Sequence, residues 1–252
     1  RLFRNLVPDI LHTNYRSAEL AKLFSNISRY VYFAVANHFM MLADEFDANI
    51  FEILELTNHK YPRQIIAKPG LTGGACLRKD FGMINEHVPY MDLLLGAWKV
   101  NESVPRFLVS HMAKRTSLEG KRVAVLGYTF KKDSDDLRDS LSPKLVRYVE
   151  RYVPREVVIC EPNLPWGQEL EEGCDNRPLE ECVSNSDVVF IAVNHGVFAE
   201  KMAEIVSSSR PDAWFADVWN LTGMGKTFFQ TMEMFQCDAH SSRALPASSP
   251  AT

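Results

Sequence analysis

Arg122-Val-Ala-Val-Leu-Gly127 is an unbroken apolar run that closes on a glycine, as expected of a strand buried on both faces. The texture returns downstream as Val157-Val-Ile-Cys160, Val188-Val-Phe-Ile-Ala-Val193 and Ala213-Trp-Phe-Ala216. Helical patterns over Lys144–Tyr152, Leu179–Ser184 and Ala199–Val206 separate these runs. Such alternation predicts α/β architecture, a parallel sheet with helices on both faces, so residues 120–236 read as a doubly wound domain of the mononucleotide-binding kind. Ligands of such sheets sit at the carboxyl ends of the strands.

Ahead of this region the pattern is helical. From Ser17 onward Leu20, Leu23, Ile27, Val31, Val35, Phe39, Leu42 and Phe46 recur at spacings of three and four, one stripe along a long helix. Ser17 and Glu19 mark its start, and a shorter helix is expected over Asn49–His59. A stripe of that length needs a partner, either other helices of its own domain or a second subunit. Pro62 and Pro69–Gly74 break the pattern, Cys76–His87 resumes it, and Tyr90–Arg115 gives another long helix that Pro105 kinks or splits. Residues 14–119 therefore read as an all-helical unit.

With 252 residues, 46% hydrophobic and 24% charged, the chain can form two ordinary domains. A formal net charge of −4 offers no basic field for nucleic acid or a membrane surface. No apolar run reaches the roughly 18 residues of a membrane span, and no signal peptide is readable from Arg1. The five cysteines (76, 160, 174, 182 and 237) form no CxxC pair. Neither a disulfide framework nor a zinc site is expected, and a reduced, cytoplasmic setting is. The seven histidines show no ligand spacing, so no metal is assigned. Residues 237–252, rich in Ser, Ala and Pro, read as a mobile tail.

Gly73-Gly-Ala-Cys76-Leu-Arg-Lys79-Asp80 sets a cysteine between a flexible glycine pair and a Lys-Asp pair, at the start of a helical pattern. Paired glycines let backbone approach a substrate closely. A helix N-terminus and a nearby lysine favour the thiolate, which is the nucleophile. From the residues alone Cys76 also reads as a small buried hydrophobe, Lys22 as a solvated helix charge, Asp80 as a first-turn carboxylate, and Lys131 and Arg138 as surface charges.

Three segments together resemble the nucleotide-sugar 6-dehydrogenase family, typified by UDP-glucose 6-dehydrogenase. Ala18-Glu-Leu-Ala-Lys22-Leu-Phe-Ser-Asn26 is similar to its A-E-L-x-K-L-x-x-N central helix. Pro69-Gly-Leu-Thr-Gly-Gly-Ala-Cys76-Leu-Arg-Lys79-Asp80 is similar to its P-G-x-x-G-G-x-C-x-x-K-D catalytic loop. Gly127-Tyr-Thr-Phe130-Lys131 through Asp136-Leu-Arg138-Asp-Ser140 is similar to its G-x-x-F-K-x-x-x-D-D-x-R-x-S motif. Less specifically, Asp217-Val-Trp-Asn220 resembles a D-x-x-N stretch, and Asn194-His195-Gly-Val-Phe198 resembles the V-x-H-x-x-F stretch of relatives acting on N-acetylated sugars.

The resemblance implies a helical central domain that dimerises through its long helix, then a Rossmann-like UDP-binding domain. It implies two NAD-dependent oxidations of a UDP-sugar C6 hydroxymethyl to a carboxylate, the substrate being UDP-glucose or a UDP-N-acetylhexosamine. Cys76 would add to the intermediate aldehyde and carry a thioester to hydrolysis. Lys22 and Asn26 would hold the oxygen that becomes anionic, and Asp80 would orient the hydrolytic water. Gly73, Gly74, Phe130 and Lys131 would meet the sugar nucleotide, and Lys79 and Arg138 the cofactor. Leu71 and Thr72 stand where the family loop carries a glycine and an aromatic, and Arg78 where it carries proline. The family's G-x-G-x-x-G cofactor loop does not occur here, so residues 1–13 are expected to close a preceding NAD-binding domain. A non-catalytic nucleotide-sugar-binding or dimerisation module is the alternative reading.

Overall fold

The computed structural model describes residues 7, 9–61, 63, 65–85, 90 and 92–238. Helix α1 (Tyr15–Glu45) starts ahead of the expected Ser17, because Asn14 caps it by accepting the Ser17 amide at 2.9 Å. Asn49 caps α2 (Ile50–Asn58) in the same way, accepting from Phe51 and Glu52. Helices α3 (Ala75–Asn85) and α4 (Asp92–Arg115) complete the helical part. Of the kink or split expected at Pro105, the split does not occur; α4 continues through that residue, which is buried in the packed face.

Helix α1 packs on α4 and α3 through Asn26, Tyr30, Ala34, Ala36, Asn37, Met40 and Ala43. The apolar stripe lies elsewhere. Ile27, Val31 and Val35 each sit one position, about 100°, round from a buried residue. Small and amide side chains, with Tyr30 and Met40, thus make the inner face, while Phe24, Val35, Phe39, Leu42 and Phe46 are left exposed, Phe46 by 76%.

The α/β part runs β1 (Arg122–Leu126), α5 (Ser142–Glu150), β2 (Glu156–Cys160), β3 (Glu169–Glu171), β4 (Cys174–Asp175), α6 (Leu179–Val183), β5 (Val188–Ile191), α7 (Gly196–Glu200), α8 (Met202–Ser208), β6 (Trp214–Asp217), β7 (Phe228–Gln230) and α9 (Thr231–Asp238). The main sheet has the order β2-β1-β5-β6-β7. Its first four strands are parallel, as expected, but β7 is antiparallel to β6. The cause is the β6–β7 connection, which contains no crossover helix and so returns the chain antiparallel. The β3–β4 hairpin was not expected either, being short and polar. The tail begins later than residue 237, since Cys237 and Asp238 belong to α9; residues 239–252 lie outside the described residues.

Alternate residues of each strand feed two cores. Val123, Val125, Ile159, Val188 and Phe190 face α5 and α4, joined by Met40 and Ala43 of α1. Ala124, Leu126, Val158, Val189 and Ile191 face α6, α7 and α8. The helical and α/β parts therefore share a core, and each fully buried side chain such as Phe190 contributes roughly 1.5–3 kcal/mol. From β1 the chain winds to β2 on one side and later to β5 on the other. That reversal leaves a crevice beyond Leu126 and Ile191, where ligands of open α/β sheets bind. Among the described residues no helix is long and apolar enough to cross a membrane, and no group of His, Cys, Asp and Glu is arranged to hold a metal.

Candidate active site

Lys22, Asn26 and Asp80 form one hydrogen-bonded chain across α1 and α3. Lys22 Nζ donates to Asn26 Oδ1 at 2.9 Å, and Asn26 Nδ2 donates to Asp80 Oδ2 at 2.5 Å. Because an ammonium only donates and a carboxylate only accepts, the amide orientation is fixed by its neighbours. Asn26 and Asp80 are buried, whereas Lys22 is exposed and keeps donors for a further oxygen. Cys76 lies in the first turn of α3, exposed, one helical turn before Asp80. Lys79 is also exposed on α3. Cys160 and Cys174 are poor nucleophiles by environment. A hydrogen bond shared with Cys182 and burial push the Cys160 thiol up, and burial pushes Cys174 up.

Residues 69–74, which deliver the chain to Cys76, are buried throughout. The Gly70 amide donates to Asn37 Oδ1 at 2.8 Å, Asn37 Nδ2 donates to Asn101 Oδ1 at 2.9 Å, and Asn101 Nδ2 donates to the Tyr30 carbonyl at 3.0 Å. Both asparagines are 0% exposed. Sequence reasoning missed this clamp, although an Asn inside the patterned face of a long helix is a local inconsistency that signals it. Trp219 covers the loop entry: a Cβ on Gly70 would lie 2.2 Å from its ring. A Cβ on Gly73 would lie 2.5 Å from the Asp139 carbonyl, and one on Gly74 would lie 2.8 Å from the Phe130 ring. Gly74 has φ +107 and donates its amide to Asp139 at 3.0 Å. The glycines are needed because backbone meets backbone and ring here.

The opposing segment, residues 127–140, leaves β1 at the crevice. Phe130 bonds its amide to the Asp136 carbonyl, and Ser140 Oγ donates to the Thr129 carbonyl at 3.1 Å, folding the segment on itself. Lys131 is exposed with its ammonium 5.2 Å from the centre of the Phe130 ring. Arg138 forks onto Asp136, and that guanidinium holds the Asp136 carboxyl down at about 2. Arg138 also stands close enough to Cys76 for the two to interact electrostatically. Two weaker motif residues turn inward. Asp217 is 0% exposed and caps its own turn by accepting from Trp219 and Thr222. His195 is 0% exposed and bonded to Glu161, and Phe198 is core.

The structure thus brings an exposed thiol, an ammonium–amide–carboxylate chain and an aromatic–lysine loop to one seam between the two parts. That set suits addition of a nucleophile to a carbonyl beside an anchored anion. Family models match the same two regions. Residues 16–103 match the central domain of the UDP-glucose/GDP-mannose dehydrogenase family, and residues 124–224 match its UDP binding domain. The chain is 31% identical over 215 residues to the UDP-N-acetyl-D-mannosamine dehydrogenase of Campylobacter jejuni, covering 82% of this chain and 53% of that protein. It is 31% identical over 190 residues to the NDP-N-acetyl-D-galactosaminuronic acid dehydrogenase of Ralstonia solanacearum, covering 74% and 44%. Among solved structures, UDP-D-ManNAc dehydrogenase from Pyrococcus horikoshii superposes with a TM-score of 0.71 at 30% identity, covering 83% of this chain and 50% of that one. The chain spans about half the length of these relatives. It belongs to the UDP-glucose/GDP-mannose dehydrogenase family, of which it carries the central and UDP-binding domains.

Proposed function

We propose that this chain is the catalytic and sugar-nucleotide-binding part of a cytoplasmic, NAD-dependent 6-dehydrogenase acting on an N-acetylated UDP-hexosamine, divided functionally into residues 14–119 and 120–236. The observation that carries the reading is the chain from Lys22 through Asn26 to Asp80, which ends on the helix that presents Cys76. The Cys76 sulfur adds to the C6 aldehyde and forms a carbon–sulfur bond. The aldehyde oxygen gains negative charge, which Lys22 meets with the donors that Asn26 does not use. Asn26 keeps Lys22 and Asp80 oriented toward each other. Asp80 then places the water that cleaves the thioester and returns the thiol. Bound NAD would supply the hydride acceptor for each oxidation. Lys79 and the Arg138 guanidinium, 78% exposed, are the cations suited to its phosphates. The N-acetylated substrate is supported by the names of the relatives above and by the His195–Phe198 stretch.

Titration calorimetry on the 252-residue chain tests the site. UDP and UDP-N-acetylhexosamines are expected to bind, and NAD not measurably. Lys131→Ala should weaken UDP binding by about 10- to 100-fold, the usual range for a bond to a charged group. Measurable NAD affinity, or UDP binding indifferent to Lys131→Ala, would show the site to be elsewhere.

The same proposal includes a homodimer through α1. Its exposed side carries Leu20, Phe24, Val35, Phe39 and Leu42, with Phe46 at its C-terminal cap, and exposed apolar surface of this kind marks an interface. Sedimentation at micromolar concentration is expected to return a dimer, and Phe39→Asp with Leu42→Asp a monomer. A wild-type monomer sinks the idea.

A further inference from the structure

We infer that Glu161 and His195, buried at the carboxyl ends of β2 and β5, are positioning residues that hold residues 128–133 in the conformation that receives a nucleoside diphosphate. This rests on the reading of Phe130 and Lys131 as the diphosphate-facing pair.

Both residues are 0% exposed. Glu161 Oε2 accepts the Tyr128 amide at 2.7 Å and the Thr129 amide at 3.0 Å, with Thr129 Oγ1 at 3.2 Å and His195 Nε2 at 3.0 Å. Its Oε1 accepts both nitrogens of Asn163, the amide at 3.0 Å and Nδ2 at 3.1 Å. His195 Nδ1 takes the Asp133 amide at 2.9 Å. A backbone amide only donates, so Nδ1 is the acceptor and Nε2 carries the proton toward Glu161. Asp133 Oδ1 in turn accepts the Gly196 amide, the residue after His195, at 2.9 Å. Residues 128 and 129 at one end, and 133 at the other, are thereby tied to a single buried pair. Only Phe130, Lys131 and Lys132 are left to project.

The position of the carboxylate sharpens the point. In dinucleotide-binding sheets a nearby acid hydrogen-bonds the ribose. Here the acid closing β2 is surrounded by donors of its own chain, more than its roughly four lone-pair sites need. It is a scaffold, not a ribose ligand. Burial alone raises the Glu161 carboxyl, but bonds from His195, Tyr128 and Thr129 outweigh it and hold it at about 2. Its ordinary value is 4.5, so the stabilisation is complete above that pH and is lost only as pH falls toward 2. A buried polar network whose members are satisfied in this way rigidifies the segment it ties.

The test is UDP titration calorimetry together with backbone amide NMR on the full chain and its variants. His195→Ala is expected to weaken UDP binding at least about tenfold and to displace the Asp133 and Lys131 amide signals, with a cooperative melt retained. His195→Asn offers an acceptor near the Nδ1 position and should stay within about threefold of wild type. Glu161→Gln turns one acceptor into a donor facing backbone amides and should weaken UDP at least about fivefold; it decides the matter if His195→Ala does not fold. A folded His195→Ala or Glu161→Gln chain that binds UDP like wild type overturns the inference. If Lys131→Ala weakens UDP while neither of these does, only this inference falls. If wild type binds no UDP, the diphosphate-site reading falls and takes this inference with it.

Discussion

Gly127→Ala is expected to lower stability by about 2–5 kcal/mol, among the largest losses available to one added methyl group. Gly127 leaves β1 with φ +94, and a Cβ there would lie 2.4 Å from Val193 Cβ and 2.8 Å from the Val193 amide nitrogen. Neither side can yield easily. The Gly127 amide is bonded to Cys160 at 2.8 Å, and the Val193 amide to Leu126 at 3.1 Å. Backbone strain supplies about 1–2 kcal/mol of the loss and overpacking about 1–3. Gly120→Ala is the matched control: Gly120 also has positive φ, at +68, but a Cβ there meets nothing within 4 Å. Urea unfolding of both variants, followed by circular dichroism, separates the two contributions. If Gly127→Ala costs no more than Gly120→Ala, the crevice between β1 and β5 is looser than described.

The second large effect is expected at Asn37. Asn37→Leu keeps most of the volume but leaves the Gly70 amide and Asn101 Oδ1 without partners in a sealed interior. Each orphaned buried group costs about 1–3 kcal/mol, so a loss of about 2–6 kcal/mol follows. The consequence reaches the site, because Gly70 begins the loop that ends at Cys76. Iodoacetamide labelling of Cys76 should change severalfold in rate even where the chain is fully folded. Asn101→Leu alone should be similarly harmful. The double variant should cost less than the two losses added, since removing both amides also removes their need for each other. A loss below about 1 kcal/mol for Asn37→Leu, with Cys76 labelling unchanged, would mean that the loop is held by other contacts.

How much of this was legible in the sequence depended on what each face had to bury. The strands β1, β2, β5 and β6 are covered on both sides, so their apolar runs stood out. Strand β7 and the β3–β4 hairpin are short and carry few such residues, and nothing in their periodicity separates them from turns. Helix α1 misleads for a physical reason. Its inner face carries Asn26, Ala34, Ala36 and Asn37 beside Tyr30 and Met40, while Phe24, Val35, Phe39 and Leu42 are exposed. Periodicity finds the strongest stripe, not the stripe that faces the core. Lys22, Asn26, Cys76 and Asp80 stand in the sequence as positions of the family motifs that it resembles. Asn37, Asn101, Trp219 and Glu161 were not legible, because each acts through a partner far away in the chain.

Gly70 lies beneath Trp219, and Gly74 lies beneath Phe130. The bare positions belong to the helical part and the rings to the α/β part, so neither half carries the shape of the reactive loop by itself. Recombination between relatives is constrained accordingly. A chimera joined near residue 119 inherits a working loop only if the donor of the α/β part brings aromatic rings to both places. A swap that exchanged Trp219 for a smaller side chain would open a hole over the loop entry, even with residues 69–80 unchanged. These two ring–glycine contacts must be passed on together.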